Sequence, residues 1–179
     1  CNVRKEIQDN MSNWNNFLLQ KMSASASTTH PMYESVSQWG VWCKSIPFKL
    51  FDKVKDPAKR VWFDEHGDDE YIPQGGLYLE SYDMSVEFGC KKIDGEIDDV
   101  RVAVGNFLEY LRSSGYLMMY SRHTRIGRQM VRLVSVSDDA HWEQEYDGGQ
   151  EFLVFTVTLH VADPVTEIVE SNGALIVAS

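Results

Sequence analysis

Six groups that can bind a metal ion or exchange a proton surround one glycine in the middle of the chain: Asp64, Glu65, His66, Asp68, Asp69 and Glu70. Carboxylate oxygens at this density are typical ligands of Ca²⁺ or Mg²⁺. Their spacing, however, matches neither an EF-hand loop nor the HExxH helix of zinc proteases. The sequence therefore favours a solvated loop or an interface patch here. A metal ion is the weaker alternative, and its candidate ligands are Asp64, Asp68, Asp69 and Glu70.

Other catalytic patterns are missing from the sequence. It contains no GxSxG or SxxK nucleophile motif, no GxxxxGK[ST] or GxGxxG phosphate loop, and no pair of histidines one helical turn apart. His160 lies on the polar face of an alternating stretch, where a cross-strand hydrogen bond is the usual role. Arg122, Arg125, Arg128 and Arg132 could grip a phosphate, but in so acidic a chain they are expected to pair with carboxylates. We predict no catalytic residue, no cofactor and no enzymatic activity.

The charges of the chain come in blocks of alternating sign. The net charge is −10, yet residues 44–60 carry six basic and two acidic side chains, and residues 64–100 carry twelve acidic and two basic ones. Residues 101–132 are basic again, and residues 138–151 carry six acidic groups and no basic one. Either facing strands neutralise each other within one subunit, or faces of opposite charge meet between subunits. The interface candidates are Lys53, Lys55, Lys59, Arg60, Asp68, Asp69, Glu70, Arg125 and Arg128.

The overall composition excludes several classes of protein. A net acidic chain is a poor match for sequence-specific binding to nucleic acid, because phosphate contacts need a basic footprint. No apolar run reaches the roughly 20 residues that cross a bilayer, so no membrane partner is expected. The cysteines Cys1, Cys43 and Cys90 lie far apart without a CxxC pair, which predicts neither a zinc knuckle nor a disulfide framework. A lipid anchor on Cys1 is a minor alternative.

Periodicity in the chain predicts the elements that hold these residues. Residues 2–22 carry an apolar helical stripe, and the polar residues 23–30 follow as a linker, so residues 1–30 are interpreted as a helical arm. A second stripe predicts a helix over 98–114, which Asp98 and Asp99 start and Gly115 stops. Strands are predicted at 40–44, 48–54, 77–82, 84–88, 117–120, 130–136 and 151–161.

These elements predict an α+β fold, a β-rich barrel or sandwich with one central helix and an N-terminal helical arm. We place the main domain at residues 31–168 and a C-terminal tail at residues 169–179. The tail ends in a strand-like piece at 174–178 that could add to a sheet edge. Residues 62–73 are too polar for a core strand, and a turn is expected at 93–96.

The order of the segments KSIPFKLFDKVKDPAKRVWFDEHGDDEYIP, LYLESYDMSVEF, helix 98–112, GYLMMYS, IGRQMVRLVSV and EFLVFTVTLHVADPVTEI resembles structural proteins of tailed bacteriophages. The likeness is to the tail-tube and distal-tail group and covers residues 44–168. It implies a virion protein, assembled in the bacterial cytoplasm into rings, commonly hexameric, around a DNA channel. Its partners would be itself and other tail proteins, with barrel edges or long loops pairing between subunits.

Alternatives to this interpretation stay open. A tail-completion or head–tail connector protein would share the plan of strands and one helix, and its rings would cap a tube. A metal-dependent binding module would instead use the acidic loop 64–70. A carbohydrate-binding lipoprotein anchored through Cys1 is a more distant option.

Overall fold

The computed structural model describes residues 14–23, 29–91, 99–137, 141–144 and 151–178. The strands are β1 (Phe17–Lys21), β2 (Met32–Glu34), β3 (Val41–Cys43), β4 (Lys59–Arg60), β5 (Asp69–Glu70), β6 (Tyr82–Lys91), β7 (Leu117–Ser121), β8 (Ile126–Val136), β9 (His141–Gln144), β10 (Glu151–Val161), β11 (Ile168–Ser171) and β12 (Ala174–Val177). The helices are α1 (Ser35–Trp39) and α2 (Val100–Ser113).

Eight strands form one antiparallel sheet in the order β2-β1-β7-β8-β10-β6-β3, with β9 paired to β10 beside the end of β8. This sheet curls into a half-barrel. The two remaining pairs, β4 with β5 and β11 with β12, are separate hairpins. The prediction of a strand-rich α+β fold is confirmed at this level, and the strands predicted around β3, β6, β7, β8 and β10 are present.

Helix α2 packs against one face of the sheet through the apolar stripe that the sequence predicts. Asp99 caps its first turn, because its carboxylate accepts hydrogen bonds from the backbone N–H groups of Arg101 at 2.8 Å and Val102 at 3.3 Å. Gly115, just past the last turn, has the positive φ of 66° that a helix stop uses. The apolar stripe buries Val100, Ala103, Val104, Phe107 and Leu111.

Phe107 of α2 is the centre of the core. Its ring lies 5.3 Å from that of Phe88 on β6 and 5.5 Å from that of Trp39 on α1, measured between centroids. The rings of Phe17 on β1 and Phe155 on β10 are each 6.2 Å away. Most of these pairs meet edge to face, the arrangement that aromatic rings favour in protein interiors. The helix and the sheet are therefore held together through one aromatic cluster.

The prediction of an N-terminal helix is wrong for residues 17–21, which form β1. This strand lies inside the sheet between β2 and β7, and Phe17, Leu18 and Leu19 are completely buried. A short segment that is apolar on both faces gives the same sequence signal as a buried helix, so periodicity could not separate the two. Residues 2–13 of the predicted helix and 24–28 of the predicted linker lie outside the described residues.

The C-terminal residues belong to the domain and form a second layer. The hairpin of β11 and β12 covers part of the sheet away from α2, where Ile168 and Leu175 pack against Leu18. The backbone N–H of Leu175 donates to the side-chain oxygen of Gln20 at 2.7 Å, which ties the hairpin to β1. The predicted boundaries at residues 30/31 and 168/169 therefore need correction, because β1 is central and β11 begins at Ile168.

Two of the predicted strands are absent, while the contact predicted for His160 is present. Residues 48–54 and 77–81 do not form regular strands, and in place of a ladder they have one isolated bridge, between Val54 and Leu79. His160 makes the expected cross-strand contact, with its Nδ1 at 2.5 Å from a carboxylate oxygen of Asp83. The turn predicted at 93–96 lies outside the described residues. In the described part of the chain, neither helix has the length and apolarity that a bilayer crossing needs.

Candidate functional site

Residues 47–81 form an arm in which no residue is buried, although the half-buried Phe48 packs against the core. Ile46 and Tyr82 are buried, but every residue between them is exposed or half-buried. The arm includes β4, β5 and the acidic loop that the sequence singles out. Such a long segment without buried residues must owe its shape to its own hydrogen bonds and to contacts at its base.

Two legs run antiparallel along the arm. Near the base, the N–H of Lys55 donates to the carbonyl of Tyr78 at 2.7 Å, and the N–H of Glu80 donates to the carbonyl of Lys53 at 2.8 Å. Further out, β4 and β5 pair in the register Lys59 to Glu70 and Arg60 to Asp69. The turn at residues 63–67 closes the tip. Gly67 has a φ of 92°, a backbone conformation that is unfavourable for residues with a side chain.

The arm is fixed to the sheet at Lys49. Its backbone N–H donates to the hydroxyl of Tyr82 at 3.0 Å, and its carbonyl accepts from Nη2 of Arg128 at 3.2 Å. Arg128 is only 1% exposed, and its Nη1 donates to the carbonyl of Gly127. The prediction that Arg128 is an interface residue therefore needs correction. The guanidinium lies inside the subunit, where it holds the base of the arm.

Ion pairs of the arm connect its two legs. The ammonium of Lys59 lies 3.0 Å from Asp68, and this hydrogen bond raises the pKa of Lys59. The indole N–H of Trp62 donates to Asp69 at 3.2 Å. The acidic loop thus lies beside Lys59 and Arg60 of the same arm. Lys53 pairs elsewhere, with Glu80 at 3.4 Å.

The acidic loop does not assemble a metal-binding set. Within the described residues, which include Asp64, Asp68, Asp69 and Glu70, no three His, Cys, Asp or Glu side chains gather as metal ligands. Asp68 and Asp69 are instead engaged by Lys59 and Trp62. The geometry gives the loop a role in shaping the tip of the arm.

The four spaced arginines have separate surroundings. Arg122 bridges Glu34 at 3.0 Å and Glu170 at 2.8 Å, which confirms for this residue the expected pairing with carboxylates. Arg125 lies exposed in the turn between β7 and β8, where its φ is 58°. Arg132 is exposed on β8, opposite His160. A phosphate grip that uses all four is inconsistent with the burial of Arg128.

The cysteines of the described residues are structural. Cys43 and Cys90 are free and buried, and burial raises the pKa of each thiol to about 12. Their sulfurs lie 3.4 Å from the carbonyl of Asn15 and 3.5 Å from that of Trp39, respectively. Thiols this hard to ionise are poor nucleophiles at neutral pH. Cys1 lies outside the described residues.

The unusual property of the arm is its exposed apolar surface. Nine of the sixteen large hydrophobic residues that are exposed in the described part of the chain lie on it: Leu50, Phe51, Val61, Trp62, Phe63, Tyr71, Ile72, Leu77 and Tyr78. The candidate residues that the sequence offers in this segment are charged and include none of these nine. The available signal was the recurrence of large apolar residues between charges with neither helical nor strand period.

No protein-family model, curated protein or solved structure matches this chain.

Proposed function

We propose that this chain is a structural subunit of a tailed bacteriophage or prophage virion, which self-assembles into rings of the tail tube or of the distal tail at the baseplate. The resemblance of residues 44–168 to that group suggests it, and the exposed arm is the observation that carries it. Ring formation, with six subunits as the resemblance implies, would occur in the bacterial cytoplasm. Other tail proteins would be the further partners.

The arm supports self-assembly because its apolar side chains are unfavourable in water. Soluble monomers rarely expose contiguous apolar patches beyond a few hundred Å², and larger patches mark interaction sites. Phe51 is 74% exposed, Tyr71 70% and Phe63 100%. Burial against another subunit would gain roughly 25 cal/mol for each Å² of apolar surface. A subunit with such an arm is more stable in an assembly than alone.

The sheet supports the same proposal through an open edge. Strand β7 pairs with β8 only as far as Val131, so in the described part of the chain residues 132–136 have no strand on that side. Val134 and Val136 on this stretch are 45% and 38% exposed. Unpaired edges invite strand addition. On this proposal, neighbouring subunits complete the half-barrel into a closed barrel or sandwich.

The first experiment measures the mass of the full chain by light scattering across a concentration and salt series. We expect discrete rings or growing tubes that weaken as salt rises, because blocks of opposite charge orient the subunits. Electron microscopy then distinguishes a tail-tube protein from a connector or completion protein. Stacked rings indicate the tube, and single rings indicate the connector or completion protein. A monomer under every condition would contradict self-assembly.

The charge contribution is tested by the double substitution Asp64→Lys with Glu65→Lys at the tip of the arm. Both side chains are exposed, so the folded monomer should keep its melting temperature while assembly weakens. The matched control, Asp64→Glu with Glu65→Asp, keeps the charge and should assemble normally. Equal assembly by both variants at ordinary salt would show that the acidic tip has no part in the contact.

A further inference from the structure

Arg128 is a buried charge without a counter-ion in the described part of the chain. Its side chain is 1% exposed, and arginine side chains keep their charge in proteins. No Asp or Glu oxygen of the described residues lies within ion-pair distance of its guanidinium. The guanidinium has two hydrogen-bond acceptors, the carbonyls of Gly127 at 3.1 Å and Lys49 at 3.2 Å, and its Nε has no partner among those residues. Within that part of the chain, its charge is therefore held by two neutral groups.

The stability of the body does not account for such a group. Removing a charge from water is costly, and in proteins a carboxylate with good geometry usually offsets the cost. A neutral carbonyl offsets less of it, because it carries no charge opposite to that of the guanidinium. Even buried ion pairs can often be replaced by apolar side chains of similar volume without loss of stability. An arginine without an ion partner should be replaceable in the same way, so its role lies elsewhere.

The Lys49 carbonyl connects Arg128 to the arm. Lys49 lies in the first leg, and its backbone N–H donates to the hydroxyl of Tyr82 at 3.0 Å. Arg128 and Tyr82 thus hold the C=O and the N–H of one residue, and with them the peptide planes on both sides of it. The ammonium of Lys49 also lies 5.1 Å from the centre of the Tyr82 ring. Because peptide planes are rigid, fixing two in succession sets the direction in which the first leg leaves the body.

We propose that Arg128 is a positioning residue for assembly, which fixes the direction of the arm at a cost in the stability of the fold. This inference rests on the proposed function, in which the arm contacts a neighbouring subunit. A closed ring needs the same angle between every pair of subunits, so the arm must leave each body in the same direction. An arm that is fixed before contact also loses less conformational freedom when it binds.

The substitution Arg128→Met in the full chain tests the proposal, because it keeps much of the side-chain volume and removes the charge and the bond to Lys49. Urea unfolding, at concentrations where the protein is monomeric, should show a midpoint equal to that of wild type or higher. Hydrogen exchange of the Lys49 amide should become about tenfold faster, since this residue is then held on one side only. Light scattering should show assembly that is about tenfold weaker. A residue that only supports the fold would lower stability and assembly together.

Two further variants complete the experiment. Arg112→Met is the matched control, because Arg112 is exposed on α2 and pairs with Glu109, so its loss should change neither the exchange at Lys49 nor assembly. Tyr82→Phe removes the other bond to Lys49 and should loosen the arm and weaken assembly as Arg128→Met does. A lower unfolding midpoint of Arg128→Met, unchanged exchange at Lys49, or assembly equal to that of wild type would overturn the role of Arg128 and leave the proposed function standing. A wild type that stays monomeric would overturn both.

Discussion

The sheet body buries its large apolar side chains, whereas the arm exposes side chains of the same types. Phe107 in the body is completely buried among four aromatic rings, whereas Phe63 on the arm is completely exposed. The difference lies in what each segment packs against. The body provides two facing layers, helix and sheet, while the arm is a thin pair of legs with no layer opposite. Apolar content alone therefore does not indicate where a core will be.

The largest test of this comparison is a matched pair of substitutions. Phe107→Ala should lower the free energy of unfolding by about 3–5 kcal/mol, since it leaves a cavity at the centre of the aromatic cluster. Phe63→Ala should change it by less than about 0.5 kcal/mol, because an exposed ring loses no packing. Urea unfolding, at concentrations where the protein is monomeric, measures both. Similar losses for the two variants would mean that the arm is packed against the body in solution.

A second pair of substitutions tests how tightly the β11–β12 hairpin packs against the sheet. At Gly127 an added Cβ would lie 2.7 Å from the carbonyl oxygen of Ile168 and 2.9 Å from a ring carbon of Tyr120. Gly127→Ala should therefore cost about 1–3 kcal/mol of unfolding free energy. Gly105→Ala, in open space on α2, should add about 0.5–1 kcal/mol through helix propensity. A neutral Gly127→Ala would show that the β11–β12 hairpin moves away freely.

Acid pH should weaken the contribution that one carboxylate of the body, Asp163, makes to stability. Burial works to raise the pKa of Asp163, but hydrogen bonds from Gln129, Thr166 and Val165 outweigh it and hold this pKa at about 2, below its ordinary value of 3.8. A depressed pKa stabilises the fold above about pH 4, and this stabilisation is lost as the pH falls toward 2. Because Asp163 is only partly buried, its contribution is about 1 kcal/mol after solvent screening.

Asp163→Ala should consequently be less stable than wild type at pH 7. The difference in unfolding free energy between the two proteins should become smaller as the pH falls from 4 to 2. Urea unfolding at several pH values measures that difference. Glu65→Ala on the exposed tip is the control and should leave the stability at pH 7 unchanged. If the difference in unfolding free energy between Asp163→Ala and wild type does not change with pH, the side chain stabilises the fold through its packing and not through its charge.

The smallest effect concerns the joint between the two regions. Tyr82→Phe removes the hydroxyl that accepts from the N–H of Lys49. We expect a loss of about 0.5–1 kcal/mol of unfolding free energy, because Lys49 is exposed and water can take the place of the lost hydroxyl at its N–H. Hydrogen exchange should speed up at Lys49 and at the base of the arm, but not in α2. Faster exchange throughout the body would mean that Tyr82 supports the core rather than the joint.

The parts of the fold that the sequence predicted are those with a one-sided pattern. Helix α2 has a capping Asp99, a single apolar stripe and a terminating Gly115. In β10, buried Phe155, Val157 and Leu159 alternate with less buried residues. Each element has one face toward the core, so its period is visible in the sequence.

The sequence did not predict elements whose environment comes from distant segments. Strand β1 is apolar on both faces because α2 covers one side and the β11–β12 hairpin covers the other. Arg128 is buried because Lys49 reaches it, although the two residues are far apart in the chain. Pro57 and Tyr78 line one surface depression because the pairing of the two legs brings them together. No local pattern contains these contacts.

The place of β1 inside the sheet also determines when the nascent chain can fold. Leu19 pairs with Met119, one hundred positions later. At roughly 5–20 residues per second, synthesis leaves β1 without this partner for about 5–20 s. The legs of the arm close over a much shorter stretch, so the arm can form while the body is still incomplete. During this interval the apolar residues of β1 lack the partner strand that they have in the folded domain, and such unpaired segments are the ones prone to association with other chains.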